Sequence, residues 1–245
     1  MKKKKKTGLK IILTIIAIIL VLTGAFLIYV SDYYHAEEIA LGVANIADNV
    51  EISTSNDTLV FDPGNADTAL IFYPGGKVEF TAYEPLMIKL AQKGILCILP
   101  KMPFNLAVFD VNAADTYISS HSEITHWYVG GHSLGGSMAA SFASKNSVKV
   151  EGLILLASYS TSDLSSSSLK VLSIYGSNDG VLNRENYEND KSNLPQGFIE
   201  VVLDGGNHAG FGCYGSQNGD GEASIDKEKQ QSETVDTIVE FIFAK

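Results

Sequence analysis

Apolar and polar residues follow two different patterns along the 245-residue chain. Leu9–Val30 form one long apolar run with no charge after Lys10. Beyond residue 50, short apolar runs of strand length alternate with segments whose apolar residues recur at helical spacing. After a hairpin in "VEISTSNDTLVFDP", turned at Asn56-Asp57, the predicted strands are "TALIFYPGG", "ILCILP", "HWYVGG", "GLILLAS", "LKVLSIYG" and "FIEVVLDGG".

The predicted helices lie between these strands and at the end of the chain. They are "AYEPLMIKLAQKG", which ends at Gly94, "NLAVFDVNAADTYISS", "SMAASFASK" and "KEKQQSETVDTIVEFIFAK". Strands that alternate with helices predict an α/β fold, a mostly parallel sheet flanked by helices, here in one domain over residues 50–245. Ligands bind such sheets at the carboxyl ends of the strands, so residues that directly follow a strand are the candidates for chemistry.

The N-terminal residues 1–30 are interpreted as a transmembrane signal anchor. About 20 helical residues, each rising 1.5 Å, cross a hydrocarbon core about 30 Å thick. A cleaved signal peptide has a shorter apolar core followed by a small-x-small site, and "FLIYVSDYYHAEE" offers no convincing one. The lysines favour a cytoplasmic N-terminus, so residues 31–49 are expected to link a single-pass membrane helix to an extracellular domain. A short helix is predicted over Tyr33–Ala47.

The anchor changes the charge balance of the protein. Without Lys2–Lys6 and Lys10, 12 of the 18 basic residues remain against 28 acidic ones, a net charge of about −16 for the exported part. This acidity argues against nucleic-acid binding. Cys97, in a predicted buried strand, and Cys213, in a loop, do not form a disulfide framework, and we expect no bridge between them.

One motif between a predicted strand and a predicted helix points to nucleophilic catalysis. Gly131-His132-Ser133-Leu134-Gly135 matches G-x-S-x-G, in which a sharp turn exposes the central serine at the tip of the sheet. Short strings of this kind also arise by chance at tight turns, so the strand before the motif and the helix after it carry the prediction. Ser133 is the candidate nucleophile.

A nucleophilic serine needs a histidine base and an orienting acid. Asp179 in "YGSNDG" and His208 in "DGGNHAG" each follow a predicted strand, and the order Ser, Asp, His is the one typical of this arrangement. Asp179 alone would be interpreted as a turn former. The competing acids are Asp163 and Asp204, and the competing histidines are His35, His121, His126 and His132; position in the chain favours Asp179 and His208 over them.

An oxyanion hole needs two backbone donors. The Leu134 N–H is one candidate, and the loop in "YPGGKV" is expected to supply the other, from Gly76 or its neighbour Lys77. The histidines and acids lack the spacing of metal ligands, "NGDGE" at 218–222 has too few carboxylates for a calcium loop, and no glycine pattern for a dinucleotide follows the first strand. We therefore predict no metal and no cofactor.

Taken together, these segments resemble the α/β-hydrolase superfamily and, more narrowly, a bacterial dienelactone-hydrolase-like family. The segments that carry the resemblance are "FYPGGKV", "AYEPL", "KMPFNLAVF", "GGHSLGG", "GLILLASY", "YGSNDGV" and "GGNHAGFGCYG". The resemblance implies a Ser133, Asp179 and His208 triad, an oxyanion loop at "PGG" and ester-type hydrolysis. Dienelactone hydrolase itself uses cysteine where this chain has Ser133, so the family name does not identify the ester.

The sequence thus favours a membrane-anchored serine hydrolase that acts on a small-molecule or surface carboxylic ester. The alternatives are an amidase or peptidase on the same fold and, less favoured, a non-catalytic scaffold. Only "SYSTSDLSSSS" separates the strand after the nucleophile helix from the next one, which predicts an open site without a lid. The alternative is that Phe211–Glu222 folds over the site as a cap.

Overall fold

The computed structural model describes residues 2–42, 49–55 and 57–244. By its internal contacts the chain divides into two units, Met1–Tyr33 and Tyr34–Lys245. The first unit contains helix α1, Lys2–Ser31. Its segment Gly8–Ser31 is long and apolar enough to cross a membrane, by length and composition.

The second unit is built around an eight-stranded sheet. Its strands are β1 Glu51–Ser55, β2 Thr58–Asp62, β3 Thr68–Tyr73, β4 Leu96–Pro100, β5 His126–His132, β6 Gly152–Leu156, β7 Lys170–Gly176 and β8 Ile199–Leu203. They lie in the order β1-β2-β4-β3-β5-β6-β7-β8. Strands β3 to β8 are parallel, and the β1–β2 hairpin joins antiparallel through β2 and β4. The predicted α/β fold with a mostly parallel sheet is confirmed.

Helices cover both faces of this sheet. The elements are α2 Glu38–Gly42, α3 Glu84–Ala91, α4 Ala113–Ser120, α5 Leu134–Lys145, α6 Arg184–Asp190 and α7 Lys227–Phe243. Alternate residues of a strand point to opposite faces. In β3, Leu70 and Phe72 accordingly pack into the cluster with α3 and α7, whereas Ala69 and Ile71 pack into the cluster with α4 and α5.

Two helix predictions differ from the structure. Of the long helix predicted in "NLAVFDVNAADTYISS", only Ala113–Ser120 is α-helical, and the part before it forms two 3₁₀ turns. Leu106, with φ of −134° and ψ of 106°, and Asp110, with φ of −147° and ψ of 63°, leave the helical region and interrupt the predicted helix. Of the helix predicted over Tyr33–Ala47, the structure has Glu38–Gly42, and residues 43–48 lie outside the described residues, as does Asn56 of the predicted turn.

The leading segment of the second unit, Tyr34–Glu37, is hydrogen-bonded to distant parts of the domain. The Tyr34 N–H donates to the Lys77 carbonyl at 2.8 Å, and the Glu79 N–H donates to the Tyr34 carbonyl at 2.9 Å. The Glu37 N–H donates to the Cys213 carbonyl at 2.8 Å. This segment, which the sequence assigned to a linker, is therefore held against the loop that follows β3.

Candidate active site

Ser133 lies at the junction of β5 and α5 in a strained turn. Its φ of 52° and ψ of −123° fall outside the regions that side chains prefer, as a nucleophile elbow requires. The Ser133 N–H donates to the Leu156 carbonyl at 2.9 Å, which ties the turn to β6. A Cβ on Gly135 would lie 2.1 Å from the Tyr73 carbonyl oxygen, so only glycine allows the helix to start this close to β3. The predicted strand, turn and helix are all present.

Asp179 and His208 form a buried hydrogen-bonded pair at the carboxyl ends of β7 and β8. His208 Nδ1 and Asp179 Oδ2 are 2.9 Å apart, and the two side chains are 1% and 0% exposed. The other carboxylate oxygen, Asp179 Oδ1, accepts from the N–H groups of Val181 at 2.9 Å and Leu182 at 2.8 Å. Because Oδ1 is occupied by these donors, the carboxylate is fixed with Oδ2 on the imidazole. A carboxylate at Nδ1 favours the tautomer that carries its proton there, which leaves Nε2 as a base.

Ser133 and His208 line the same cavity, which has a volume of about 230 Å³. His208 Nε2 is buried and has no hydrogen-bond partner among the described residues, so its lone pair is available to a hydroxyl. Residues 211–222, all of which the structure describes, contribute none of the lining, and therefore do not cap this cavity. The remaining lining residues are Leu134, Ser137, Ala157, Ser158, Tyr159, Val181, Leu182 and Asn183.

The competing acids have other partners. Asp163 Oδ1 accepts from the Ser165 N–H and hydroxyl at 2.9 and 2.6 Å, and Asp204 Oδ1 lies 3.5 Å from Ser177 Oγ. Among the competing histidines, His126 pairs with Glu151 at 2.5 Å, away from Ser133. Within the described ranges, no group of three or more His, Cys, Asp or Glu side chains could hold a metal ion.

The two candidate second donors of the oxyanion hole differ in their hydrogen bonds. The Lys77 N–H donates to the Asn105 carbonyl at 2.8 Å and is therefore occupied. A Cβ on Gly76 would lie 2.7 Å from Leu134 Cδ2, so the backbone of Gly76 is directly against Leu134. Leu134 opens α5, where a backbone N–H has no partner within the helix. This geometry favours Gly76 over Lys77 as the partner of Leu134.

His132 takes part in the site in a way that the sequence analysis missed. Tyr83 Oη accepts from the Gly75 N–H at 3.1 Å and is hydrogen-bonded to His132 Nδ1 at 2.8 Å. The His132 ring packs on the His208 ring, with centroids 4.5 Å apart. Burial lowers the pKa of His132 well below its usual range, and the neighbouring imidazole of His208 lowers it further. His132 is therefore a neutral ring behind His208.

This chain of contacts could not be read from the local pattern. His132 precedes Ser133, and Tyr83 lies far from both in sequence, in a predicted amphipathic helix where an aromatic residue is interpreted as core. Burial raises the pKa of the Tyr83 hydroxyl, which keeps it a neutral donor. The available signal was the histidine itself, since a buried imidazole needs a polar partner.

A strand–serine–helix turn at the carboxyl edge of a mostly parallel sheet is typical of hydrolases. Comparison with known proteins indicates the same class. The family model of the alpha/beta hydrolase family matches residues 69–232, most of the chain, so the chain belongs to this family. The structure is similar to Dienelactone hydrolase from Anabaena variabilis ATCC 29413, with a TM-score of 0.57 and 13% identity over 79% of this chain and 97% of that one.

It is also similar to Est1E from Butyrivibrio proteoclasticus, with a TM-score of 0.54 and 12% identity over 80% of this chain and 99% of that one. Comparison with curated proteins finds no match. At these identities the solved structures show a common fold. Together with the family match they confirm the predicted resemblance to dienelactone-hydrolase-like α/β hydrolases.

Proposed function

We propose that the protein is a serine hydrolase that cleaves carboxylic esters through an acyl-enzyme, with Ser133 as nucleophile, His208 as base and Asp179 as orienting acid. The observation that carries this proposal is the buried Asp179–His208 pair, whose Oδ2 and Nδ1 atoms are 2.9 Å apart. His208 lines the same cavity as Ser133, and its Nε2 atom has no hydrogen-bond partner among the described residues. Hydrogen bonds between nucleophile and base are often formed only when substrate binds.

The reaction proceeds in two halves. Ser133 Oγ attacks the ester carbonyl carbon while His208 Nε2 takes the hydroxyl proton, and the negative carbonyl oxygen is bound by the N–H groups of Leu134 and Gly76. Collapse of the intermediate breaks the ester C–O bond, and the leaving alcohol takes the proton from His208. Water then attacks the acyl-enzyme, gives its proton to Nε2, and the acid leaves as Ser133 recovers its proton.

The surroundings of the pair support this chemistry. A positive charge develops on His208 in both halves of the reaction, and a second charged imidazole at 4.5 Å would oppose it. Because His132 is neutral, it presents no such charge. The cavity of about 230 Å³ and the short polar segment after β6 favour short-chain esters or esters carried on an accessible polymer.

We further propose that α1 anchors the enzyme in the cell membrane, with the N-terminus cytoplasmic and the catalytic domain outside. The apolar segment Gly8–Ser31 and the lysines that precede it support this orientation. We expect the full chain to be recovered in the membrane fraction. Protease added to intact cells should cut the catalytic domain. Protease access from the cytoplasmic side alone would refute the orientation.

The test of the catalytic proposal combines a covalent probe with substrates. A fluorophosphonate should label the wild-type protein at Ser133, and Ser133→Ala should abolish both labelling and ester turnover while the domain stays folded, with a loss of several orders of magnitude in kcat. Matched ester and amide substrates with the same acyl group decide between an esterase and an amidase. Near wild-type turnover by Ser133→Ala would show that the nucleophile assignment is wrong.

A further inference from the structure

One carboxylate outside the proposed triad is bonded to both loops that carry the acid and the base. Asp220 Oδ1 accepts from the N–H of Gly180, the residue after Asp179, at 3.1 Å. The same oxygen accepts from the His208 N–H at 3.1 Å. Asp220 Oδ2 accepts from the Ala209 N–H at 2.8 Å. A single side chain therefore holds the backbone on either side of the Asp179–His208 hydrogen bond.

Asp220 lies in the segment "QNGDGE", residues 217–222, which we call the clip. Backbone carbonyls of the clip accept from side chains of both loops: Asn178 Nδ2 donates to the Glu222 carbonyl and Asn207 Nδ2 to the Gly221 carbonyl, each at 2.9 Å. A Cβ on Gly221 would lie 1.9 Å from the Asn178 carbonyl oxygen, so the clip reaches the acid loop only because this residue is glycine. Residues 220–222 of the clip are thus bonded to both loops.

We propose that Asp220 is a positioning residue that sets the separation of Asp179 and His208. The proposal rests on the proposed hydrolase mechanism. It assigns a role to the acid of "NGDGE", the segment that has too few carboxylates for a calcium loop. Asp220 accepts its hydrogen bonds from backbone N–H groups, including that of Gly221 at 2.8 Å, and not from the imidazole, so it acts through the loops.

The expected effect follows from how the two loops are attached. β7 and β8 fix where the loops begin, but the atoms that must meet lie beyond the strand ends, at Asp179 and His208. Without the carboxylate, the N–H groups of Gly180, His208 and Ala209 lose their common acceptor, and the loops can separate. A misplacement of about 1 Å in a catalytic group can cost about 10²-fold in rate.

The test compares Asp220→Ala and Asp220→Asn with wild type on one short-chain p-nitrophenyl ester. Asp220→Ala should lower kcat about 10- to 100-fold and leave KM within about threefold, because the loss is one of alignment and not of substrate binding. Asn keeps one acceptor oxygen for the donors that converge on Oδ1, so Asp220→Asn should restore part of kcat. The expected order of kcat is wild type above Asn above Ala, measured at a temperature at which the Tm of each variant shows it to be folded, so that a loss of stability does not contribute.

Asp226→Ala is the matched control. Asp226 is also an acid that accepts a backbone N–H, that of Lys229 at 2.7 Å, but its side chain caps α7 and accepts no N–H group of the two loops. The substitution Asp226→Ala should lower Tm by a few degrees and leave kcat unchanged. The proposal is overturned if the Asp220 variants lose Tm as Asp226→Ala does and keep kcat, or if neither folds, since the carboxylate would then serve the fold alone. Ester turnover by Ser133→Ala would instead overturn the proposed function.

Discussion

Replacing Asp179 by asparagine tests the proposed orienting acid, because the change should move the proton of the neutral His208 imidazole from Nδ1 to Nε2. Asp179 Oδ1 accepts two backbone N–H groups, from Val181 and Leu182, and Oδ2 faces His208 Nδ1 at 2.9 Å. The asparagine oxygen will keep the two N–H donors, so its NH₂ group must face the imidazole. Two donors cannot share a hydrogen bond, and the imidazole will turn to the tautomer with its proton on Nε2.

A proton on Nε2 removes the base that Ser133 needs. We expect kcat to fall about 10⁴-fold, or about 5 kcal/mol in the barrier, while the domain stays folded because both N–H groups remain bonded. The assay is turnover of a p-nitrophenyl ester together with the rate of fluorophosphonate labelling, which should fall in parallel.

Asp163→Asn is the control for this variant. Asp163 was a competing acid, accepts the Ser165 N–H at 2.9 Å in an exposed turn, and should tolerate the change. If Asp179→Asn keeps more than about a tenth of wild-type kcat, the loss is far below the 10⁴-fold expected for a wrong tautomer, and the orienting role of Asp179 is refuted. A loss in Asp163→Asn as large as in Asp179→Asn would refute it as well.

Three further predictions concern stability, substrate size and the N-terminus. Burial raises the pKa of Glu84 to about 7, above the value in the unfolded chain. The stability that protonated Glu84 contributes is therefore present in acid and lost as the pH rises through 7. Glu84→Gln does not titrate and should flatten the fall of Tm between pH 5 and 8. Across p-nitrophenyl esters, kcat/KM should not rise steeply beyond about eight carbons, because such a gain needs enclosed apolar surface; a steep rise would refute the open site. A chain that begins at Ser31 should be soluble and active, whereas one that begins at Glu38 should have a lower Tm, because it lacks the hydrogen bonds of Tyr34; equal Tm values would refute this role for the leading segment.

The sequence was sufficient for the sheet because buried strands have a strong local pattern. "TALIFY" and "GLILL" are apolar at almost every position, as strands covered on both faces must be, and the structure buries all of their residues. Ser133, Asp179 and His208 were accessible to the same reasoning, because each lies in the turn or loop after a predicted strand.

Elements that depend on distant partners were not accessible in this way. Helix α6, Arg184–Asp190, was not predicted, since its sequence "RENYEND" buries only Tyr187 and shows no apolar periodicity. The helix predicted from Asn105 is interrupted at Leu106 and Asp110, and the left-handed backbone of Asn105 brings its carbonyl to the Lys77 N–H. Asp220 was missed for a related reason: an acid that binds backbone N–H groups of other loops leaves no local pattern.

The leading segment has a consequence for the timing of folding. Tyr34–Glu37 is made early in synthesis, yet the Glu37 N–H bonds to the Cys213 carbonyl at 2.8 Å, and the Asn218 N–H bonds to Tyr34 Oη at 3.1 Å. Contacts between residues this far apart in sequence form slowly, because a long loop must close first. The leading segment therefore cannot complete its hydrogen bonds until residues 213–218 have been made, 184 residues after Tyr34 in the case of Asn218.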